Sequence, residues 1–282
     1  MPVAAGIYYL FHESKEDVKK RPPMILLHGA GGNHLSWAPQ IRRMDAGKIY
    51  TLDLPGHGQS EGVGRHSIDE YADDVVSFMK ELKIGAAVMV GVSMGSAIAL
   101  TMALKYPRKV LGLGLIGSGA RLRVAPQILE TAGNVNTFES AVDMVNTNCF
   151  SGNVPPALLE LSKRQMMEIR PPVLLGDFLA CDAFNVMEEL TRIKPPTIIL
   201  CGAEDKMTPV KYSQFLKEAI PHSEIHIIEN AGHLAMAEQP EIVAELLKSF
   251  VESIPPRVRK PRKKKEEGKE DVVVTLIPSK LE

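Results

Sequence analysis

Short apolar runs, four to seven residues long, recur along the chain. They are rich in Val, Ile and Leu and do not alternate with polar residues, a pattern typical of strands that are covered on both faces of a parallel sheet. We therefore predict seven strands, at Gly6–Phe11, Met24–Leu27, Ile49–Leu54, Ala87–Val92, Val110–Ile116, Thr197–Cys201 and Ile225–Ile228.

Helical patterns separate these strands. Residues 67–82 open with the capping box Ser67-x-x-Glu70 and then repeat apolar residues at helical spacing. A second helix is expected from Thr208, where a proline follows the capping residue, and a third over Pro240–Ile254. Because strands and helices alternate, the sequence predicts a doubly wound α/β fold with a mostly parallel sheet.

The alternation stops between about residues 121 and 194. The apolar spacing there indicates helices, at Phe138–Cys149, Ala157–Ile169 and Pro172–Ile193. We therefore expect a helical cap, residues 121–190, inserted into an α/β core made of residues 1–120 and 191–254, with a charged and disordered tail at 255–282.

One long uncharged stretch, Ile84–Leu104, has the hydropathy of a membrane span. Gly91 and Gly95 interrupt it, the residues before them favour a strand, and those after them favour a helix. A buried strand, turn and helix explain the stretch, so no membrane span is expected.

Composition places the chain among globular proteins, with 45% hydrophobic and 24% charged residues. The formal net charge of -1 conceals an uneven distribution, because nine of the 33 Lys/Arg and five of the 34 Asp/Glu lie from Pro255 onward. The body is therefore acidic and the tail basic. Arg257–Lys265 could meet an anionic surface, but no aromatic residues interleave with its charges, so we expect a solvated linker and no nucleic-acid partner.

The cysteines Cys149, Cys181 and Cys201 are widely spaced and odd in number. This pattern favours neither a disulfide framework nor a zinc site. The N-terminus lacks the features of a secretory signal, so a cytoplasmic protein without metal or cofactor is expected.

The segment Gly91-Val92-Ser93-Met94-Gly95 fits the pattern G-x-S-x-G between a predicted strand and a predicted helix. A serine on such a sharp turn presents its hydroxyl outward, and the flanking glycines let strand and helix approach closely. The positive end of the helix lies beside it. Ser93 is therefore a candidate nucleophile.

Further motifs follow the other predicted strands in a fixed order. The chain resembles the α/β-hydrolase fold family over residues 6–254 through these motifs: His28-Gly29-Ala30-Gly31-Gly32, Asp53-Leu54-Pro55-Gly56-His57-Gly58-Gln59-Ser60, Ser93, Asp205 and His233. The resemblance implies an α/β-hydrolase fold with an inserted helical cap and the family's order of nucleophile, acid and histidine.

The same resemblance implies a role for each matching residue. Ser93 is the expected nucleophile, His233 the base, and Asp205 the carboxylate that orients it, with Glu204 as the competing acid. The amides of Ala30 and Met94 are the expected oxyanion donors.

Two histidines in these motifs have expected supporting roles. His28 is expected to organise the glycine-rich loop rather than to react. His57 follows the Asp53 loop and is expected to support it.

Family members that act as dehalogenases or epoxide hydrolases have an aspartate at the nucleophile position. The serine found here points instead to acyl transfer to water. Gly29, Trp37, Met207 and Leu234 are expected to contact a small-molecule ester with an apolar acyl or aryl group. Three enzyme alternatives stay open, namely hydrolysis of a carbon-carbon bond, of a thioester or of a lactone, as does a ligand-binding sensor on the same fold. The sequence leaves the oligomeric state open.

Overall fold

The computed structural model describes residues 2–14 and 21–255, so the predicted tail lies outside the described residues apart from Pro255. Its sheet has the strand order β1-β2-β4-β3-β5-β6-β7-β8. The strands are β1 Val3–Ala4, β2 Ile7–Glu13, β3 Met24–Leu27, β4 Lys48–Leu52, β5 Ala87–Val92, β6 Val110–Ile116, β7 Thr197–Gly202 and β8 Ser223–Ile228.

The sheet is parallel from β4 to β8, and β1 and β2 join one edge in antiparallel pairing. Every residue of β3, β5 and β7 is buried. The seven predicted strands are thus confirmed: β3, β5 and β6 have the predicted bounds, and the ends of the other four differ by one or two residues. The two-residue strand β1 was not predicted.

Helices cover both faces of this sheet. One apolar cluster contains residues of α2, α3 and α8, and a second contains residues of α1, α9 and α10. The doubly wound architecture is therefore confirmed. The helices are α1 Pro39–Arg42, α2 Ile68–Glu81, α3 Met94–Lys105, α4 Pro126–Ala132, α5 Phe138–Cys149, α6 Pro156–Met167, α7 Pro171–Ala183, α8 Val210–Ala219, α9 Ala235–Glu238 and α10 Pro240–Ser253.

The helices α4 to α7 lie between β6 and β7, and we call this segment, Pro126–Ala183, the cap. Its apolar side chains form a cluster of their own, which also touches Ala30, Met207 and Leu234 of the sheet-end loops. The predicted helix Pro172–Ile193 is wrong beyond Ala183. Asn185 pairs with Arg121 and accepts a hydrogen bond from the Met187 amide, so the chain turns and continues as a short 3-10 helix, Met187–Arg192.

The uncharged stretch Ile84–Leu104 folds as β5, a one-residue turn at Ser93, and α3. All residues from Met94 to Ala103 are buried, which explains why this helix is apolar on every side. Within the described residues, no helix has the length and apolar character needed to cross a bilayer.

Candidate active site

The turn between β5 and α3 forces an unusual backbone on Ser93, with φ of +53°. Glycine is required on both sides. A Cβ on Gly95 would lie 2.1 Å from the Leu27 carbonyl oxygen, and a Cβ on Gly91 would lie 2.1 Å from the Gly95 backbone. The sequence pattern therefore exists because the helix start touches the ends of β3 and β5, and Ser93 is left partly exposed at their carboxyl edge.

Ser96 stabilises this turn, and the sequence analysis did not identify this role. Its buried hydroxyl donates to the Gly91 carbonyl at 2.7 Å and accepts the Ile116 amide at 3.2 Å. The Ser93 amide donates to the Ile116 carbonyl at 3.0 Å. The turn is thereby attached to β6. The available signal in the sequence was a serine close to the start of a largely apolar helix.

Asp205 and His233 meet at the ends of β7 and β8. The His233 Nδ1 atom lies 2.9 Å and 3.1 Å from the two carboxylate oxygens of Asp205. Glu204, the competing acid, instead accepts the Gly152 amide of the cap at 3.0 Å. The structure therefore places Asp205, and not Glu204, against the histidine.

Asp205 is buried, and burial alone would raise its pKa. The hydrogen bond and charge of His233, together with donors on Thr208, outweigh burial and hold the pKa below the ordinary 3.8. The Thr208 hydroxyl and amide each donate to the carboxylate at 2.8 Å. The predicted helix start at Thr208 is wrong for this reason: its side chain binds Asp205, and α8 begins at Val210.

The loop that carries His233 is held by the cap. The Gly232 amide donates to Glu238 at 2.7 Å, and the same carboxylate accepts the Ser151 hydroxyl at 2.5 Å. The Leu234 amide donates to the Cys149 carbonyl at 3.1 Å. Hydrogen bonds thus flank the histidine on both sides and fix it relative to the end of α5.

The glycine-rich loop after β3 lies against the nucleophile turn. A Cβ on Gly29 would come within 3.3 Å of the Ser93 Cβ. Among the described residues, no protein group accepts a hydrogen bond from the backbone N–H of Ala30 or of Met94. Both amides are therefore free to donate to a substrate oxygen.

His28 holds this loop in place. Its Nδ1–H donates to the Gly29 carbonyl at 2.8 Å, and its Nε2 accepts the Leu54 amide at 2.9 Å. Accepting an N–H requires a neutral ring. Burial and the neighbouring His57 charge lower the pKa of His28 to about 4, which agrees with that state.

Asp53 organises the next loop. Its carboxylate accepts the His34 amide at 2.6 Å and the Gln59 amide at 2.8 Å. Although burial raises its pKa, the hydrogen bond from the His34 ring, together with the two amides, outweighs burial and lowers it. Both Asp53 and His28 thus support loops rather than line the cavity described next.

A cavity of about 120 Å³ opens over Ser93 between the sheet-end loops and the cap. Its lining is mostly apolar and includes the expected contacts Gly29, Met207 and Leu234. None of the lining residues in the described part of the chain is Lys, Arg, Asp or Glu. The lining comprises Gly29, Ala30, Gly31, Gly32, Leu35, Ser36, Val92, Ser93, Val145, Cys149, Phe150, Leu158, Leu161, Ser162, Gln165, Met166, Phe178, Met207, His233, Leu234, Met236 and Ala237.

Trp37 does not line this cavity, contrary to expectation. It is fully buried in the apolar cluster that contains Met24 and Ile41, under the sheet. The 3-10 helix His34–Ser36 turns the chain away from the cavity, so Leu35 and Ser36 occupy the lining instead. The Trp37 ring therefore packs in the hydrophobic core.

Comparison with known proteins identifies the family of this chain. The sequence model described as the alpha/beta hydrolase family matches residues 24–246, and the chain belongs to this family. The chain is 26% identical to 3-oxoadipate enol-lactonase 1 from Acinetobacter baylyi, over 83% of this chain and 90% of that protein. It is 27% identical to 2-hydroxymuconate semialdehyde hydrolase from a Pseudomonas species, over 88% and 92%.

Solved structures share the fold. The structure of a thermophilic esterase superposes with a TM-score of 0.74 at 33% identity, covering 88% of this chain and 98% of that one. The predicted α/β-hydrolase fold is confirmed, and the chain is similar to hydrolases that differ in the bond they cleave.

Proposed function

We propose that this protein is a serine hydrolase that cleaves small, uncharged carboxylic esters. Ser93, His233 and Asp205 form its catalytic triad, and the amides of Ala30 and Met94 form its oxyanion hole. Three observations support the proposal: the strained turn that leaves Ser93 partly exposed, the Asp205–His233 pair, and two free amides beside the nucleophile.

In this mechanism the Ser93 Oγ attacks the ester carbonyl carbon while His233 Nε2 takes the hydroxyl proton. Asp205 accepts the hydrogen bond from Nδ1–H and stabilises the imidazolium that forms. The tetrahedral oxyanion accepts hydrogen bonds from the two amides. The carbon-oxygen bond then breaks, and the alcohol leaves with the proton held by His233.

Water completes the reaction. His233 takes a proton from a water molecule whose oxygen attacks the acyl-enzyme carbonyl. The second tetrahedral intermediate then releases the carboxylic acid as the bond to Ser93 Oγ breaks and His233 returns the proton to that oxygen. Each cycle consumes one ester and one water and needs no further reactant.

The choice of a neutral substrate rests on the uncharged lining of the cavity. The relatives named above act on 3-oxoadipate enol-lactone and on 2-hydroxymuconate semialdehyde, whose names denote carboxylates. Burying a carboxylate without a positive partner is costly. Since no Lys or Arg lines the cavity among the described residues, a neutral apolar ester fits better than those anions.

A matched pair of substrates tests the proposal. We expect p-nitrophenyl pentanoate to be cleaved with a kcat/KM at least about tenfold above that of p-nitrophenyl hydrogen glutarate, which differs by a terminal carboxylate. Ser93→Ala should abolish cleavage, because the nucleophile is lost. Activity that survives Ser93→Ala, or a preference for the glutarate, would refute it.

The open alternatives are separated by further substrates. We would measure kcat/KM for the pentanoate ester, a thioester, a lactone and a vinylogous diketone. The values rank the four reactions. A ligand-binding sensor would leave all of them intact and show no Ser93 adduct with a fluorophosphonate probe.

A further inference from the structure

A fully buried carboxylate links the cap to the glycine-rich loop. Asp177 lies on α7 of the cap and has no exposed surface. Its Oδ2 atom accepts the backbone N–H of Gly31 and the His57 Nε2–H, each at 2.8 Å. Its Oδ1 atom accepts the Tyr71 hydroxyl at 2.6 Å. A cap residue thus holds three segments that are distant in sequence.

The hydrogen-bond partners fix the charge of this cluster. The second ring nitrogen of His57, Nδ1, lies 3.1 Å from the Pro55 carbonyl, which accepts hydrogen bonds and cannot donate. Both ring nitrogens therefore donate, and His57 is an imidazolium paired with the Asp177 carboxylate. Burial would lower the pKa of His57, but the charge and hydrogen bond of Asp177 raise it above 6.5.

Tyr71 completes the cluster. Its oxygen accepts the Arg65 amide at 3.0 Å, so its hydroxyl hydrogen is directed to Asp177. Burial and the Asp177 charge raise the pKa of Tyr71, which keeps it a donor. The carboxylate is therefore fully satisfied inside the protein, as a buried charge requires.

Gly31 is the point where this cluster meets the candidate oxyanion hole. It follows Ala30 directly, and its φ of +66° favours glycine. A Cβ there would lie 2.7 Å from the Leu174 side chain of α7. The hydrogen bond from Gly31 to Asp177 thus holds the peptide plane between Ala30 and Gly31 against α7. The neighbouring plane, which carries the Ala30 N–H, is held through the Gly29 carbonyl, which accepts the Gly32 N–H at 3.1 Å.

We propose that Asp177 is a positioning residue for the oxyanion hole, because it holds the Gly31 amide and the His57 imidazolium and so fixes the loop that presents the Ala30 amide. The proposal rests on the function proposed above. It assigns to the cap a part in transition-state stabilisation, in addition to enclosing the cavity.

Asp177→Asn tests this role, because it removes the charge and keeps the size. We expect kcat for p-nitrophenyl pentanoate to fall about tenfold or more, with KM within about threefold, since the oxyanion forms only in the transition state. The rate constant for labelling of Ser93 by a fluorophosphonate should fall in parallel, because the phosphoryl oxygen occupies the same position.

Asp182→Asn is the matched control. Asp182 lies on the same helix but bonds to Val124 and Arg123, away from the glycine-rich loop. We expect both of its rates to stay within about twofold of the wild type's. Equal losses in the two variants, or wild-type rates in Asp177→Asn, would overturn the proposal.

Two further measurements keep the test decisive. Nitrogen-15 NMR of the wild type should show both ring nitrogens of His57 protonated at neutral pH, and a neutral ring would overturn the proposal. If Asp177→Asn does not fold, His57→Gln removes the charge that pairs with Asp177, one of the two contacts that the proposal names, and a labelling rate equal to the wild type's would then contradict it.

The two proposals fail in distinguishable ways. If the wild type is labelled by the fluorophosphonate but cleaves no ester, the ester function falls while the labelling rates still decide the role of Asp177. If the wild type is not labelled at all, both proposals fall.

Discussion

At the scale of single residues, the character of the cavity follows from the absence of charged side chains among its described lining residues. The carboxylates close to it already have partners: Asp205 binds His233 and Thr208, and Asp177 binds His57. Their charges are thus neutralised or directed away from the cavity. A substrate in the cavity therefore contacts mostly apolar side chains and the reacting groups. Because the lining carries no fixed charge, a single substitution can introduce one.

Leu161→Arg should shift the selectivity toward anionic esters. Leu161 lines the cavity from α6 and is 40% exposed, so an arginine can be accommodated without burying its charge. A cation near a carboxylate gains about 1 kcal/mol or more in such partly solvated sites, about a fivefold effect. We expect kcat/KM for p-nitrophenyl hydrogen glutarate, relative to the pentanoate, to rise at least about fivefold.

Leu179→Arg provides the control, since Leu179 is also 40% exposed and lies on α7 outside the cavity lining. It adds the same net charge to the cap. If Leu179→Arg shifts the selectivity ratio as much as Leu161→Arg does, the ratio reports net charge, and the cavity described here does not select the substrate.

At the scale of elements, the junction of β3, β5 and α3 positions the nucleophile through contacts between backbones. Gly95→Ala should disrupt it, because the added methyl would lie 2.1 Å from the Leu27 carbonyl oxygen and backbone cannot move aside easily. Although alanine favours helices by about 1 kcal/mol, we expect a loss of more than about 3 kcal/mol in the free energy of unfolding, measured with urea.

Gly85→Ala is the corresponding control. Gly85 is exposed before β5, and a Cβ there meets nothing within 4 Å. We expect its free energy of unfolding to change by less than about 1 kcal/mol. A folded Gly95→Ala protein of wild-type stability would contradict the close approach of α3 to β3.

The sequence predicted those parts of the fold that depend on local pattern. Continuous apolar runs located the strands. The motif G-x-S-x-G located the turn because its five residues are consecutive, although Gly95 is required by a contact with Leu27, which is distant along the chain. The end of α7 at Ala183 was missed because it depends on the pairing of Asn185 with Arg121, which is distant along the chain. The role of Thr208 was missed because a threonine before a proline is equally typical of a helix N-cap, whereas here it binds Asp205. Trp37 was wrongly predicted to line the cavity because aromatic residues occur both in cores and in cavities. The role of Asp177 was not predicted because no sequence motif surrounds it.

At the scale of the whole molecule, buried histidines in opposite charge states make folding depend on pH. His57 is held as an imidazolium by Asp177, whereas His28 is held neutral by the Leu54 amide. Their rings lie 4.8 Å apart, so the charge of one opposes charging of the other. His57 stabilises the folded state fully below pH 6.5 and loses this contribution as pH rises through its raised pKa.

His28 acts in the opposite direction. Its pKa of about 4 in the folded protein lies below the 6.5 of the unfolded chain, so between these values the unfolded state binds the additional proton. We expect His28 to reduce the free energy of unfolding by about 2 kcal/mol between pH 6.5 and pH 5, a range above most carboxylate titrations. Urea unfolding at several pH values measures this slope. His28→Gln, which keeps an acceptor and a donor but cannot titrate, should flatten it by about one proton, and a slope unchanged in that variant would show that His28 already carries its proton in the folded state.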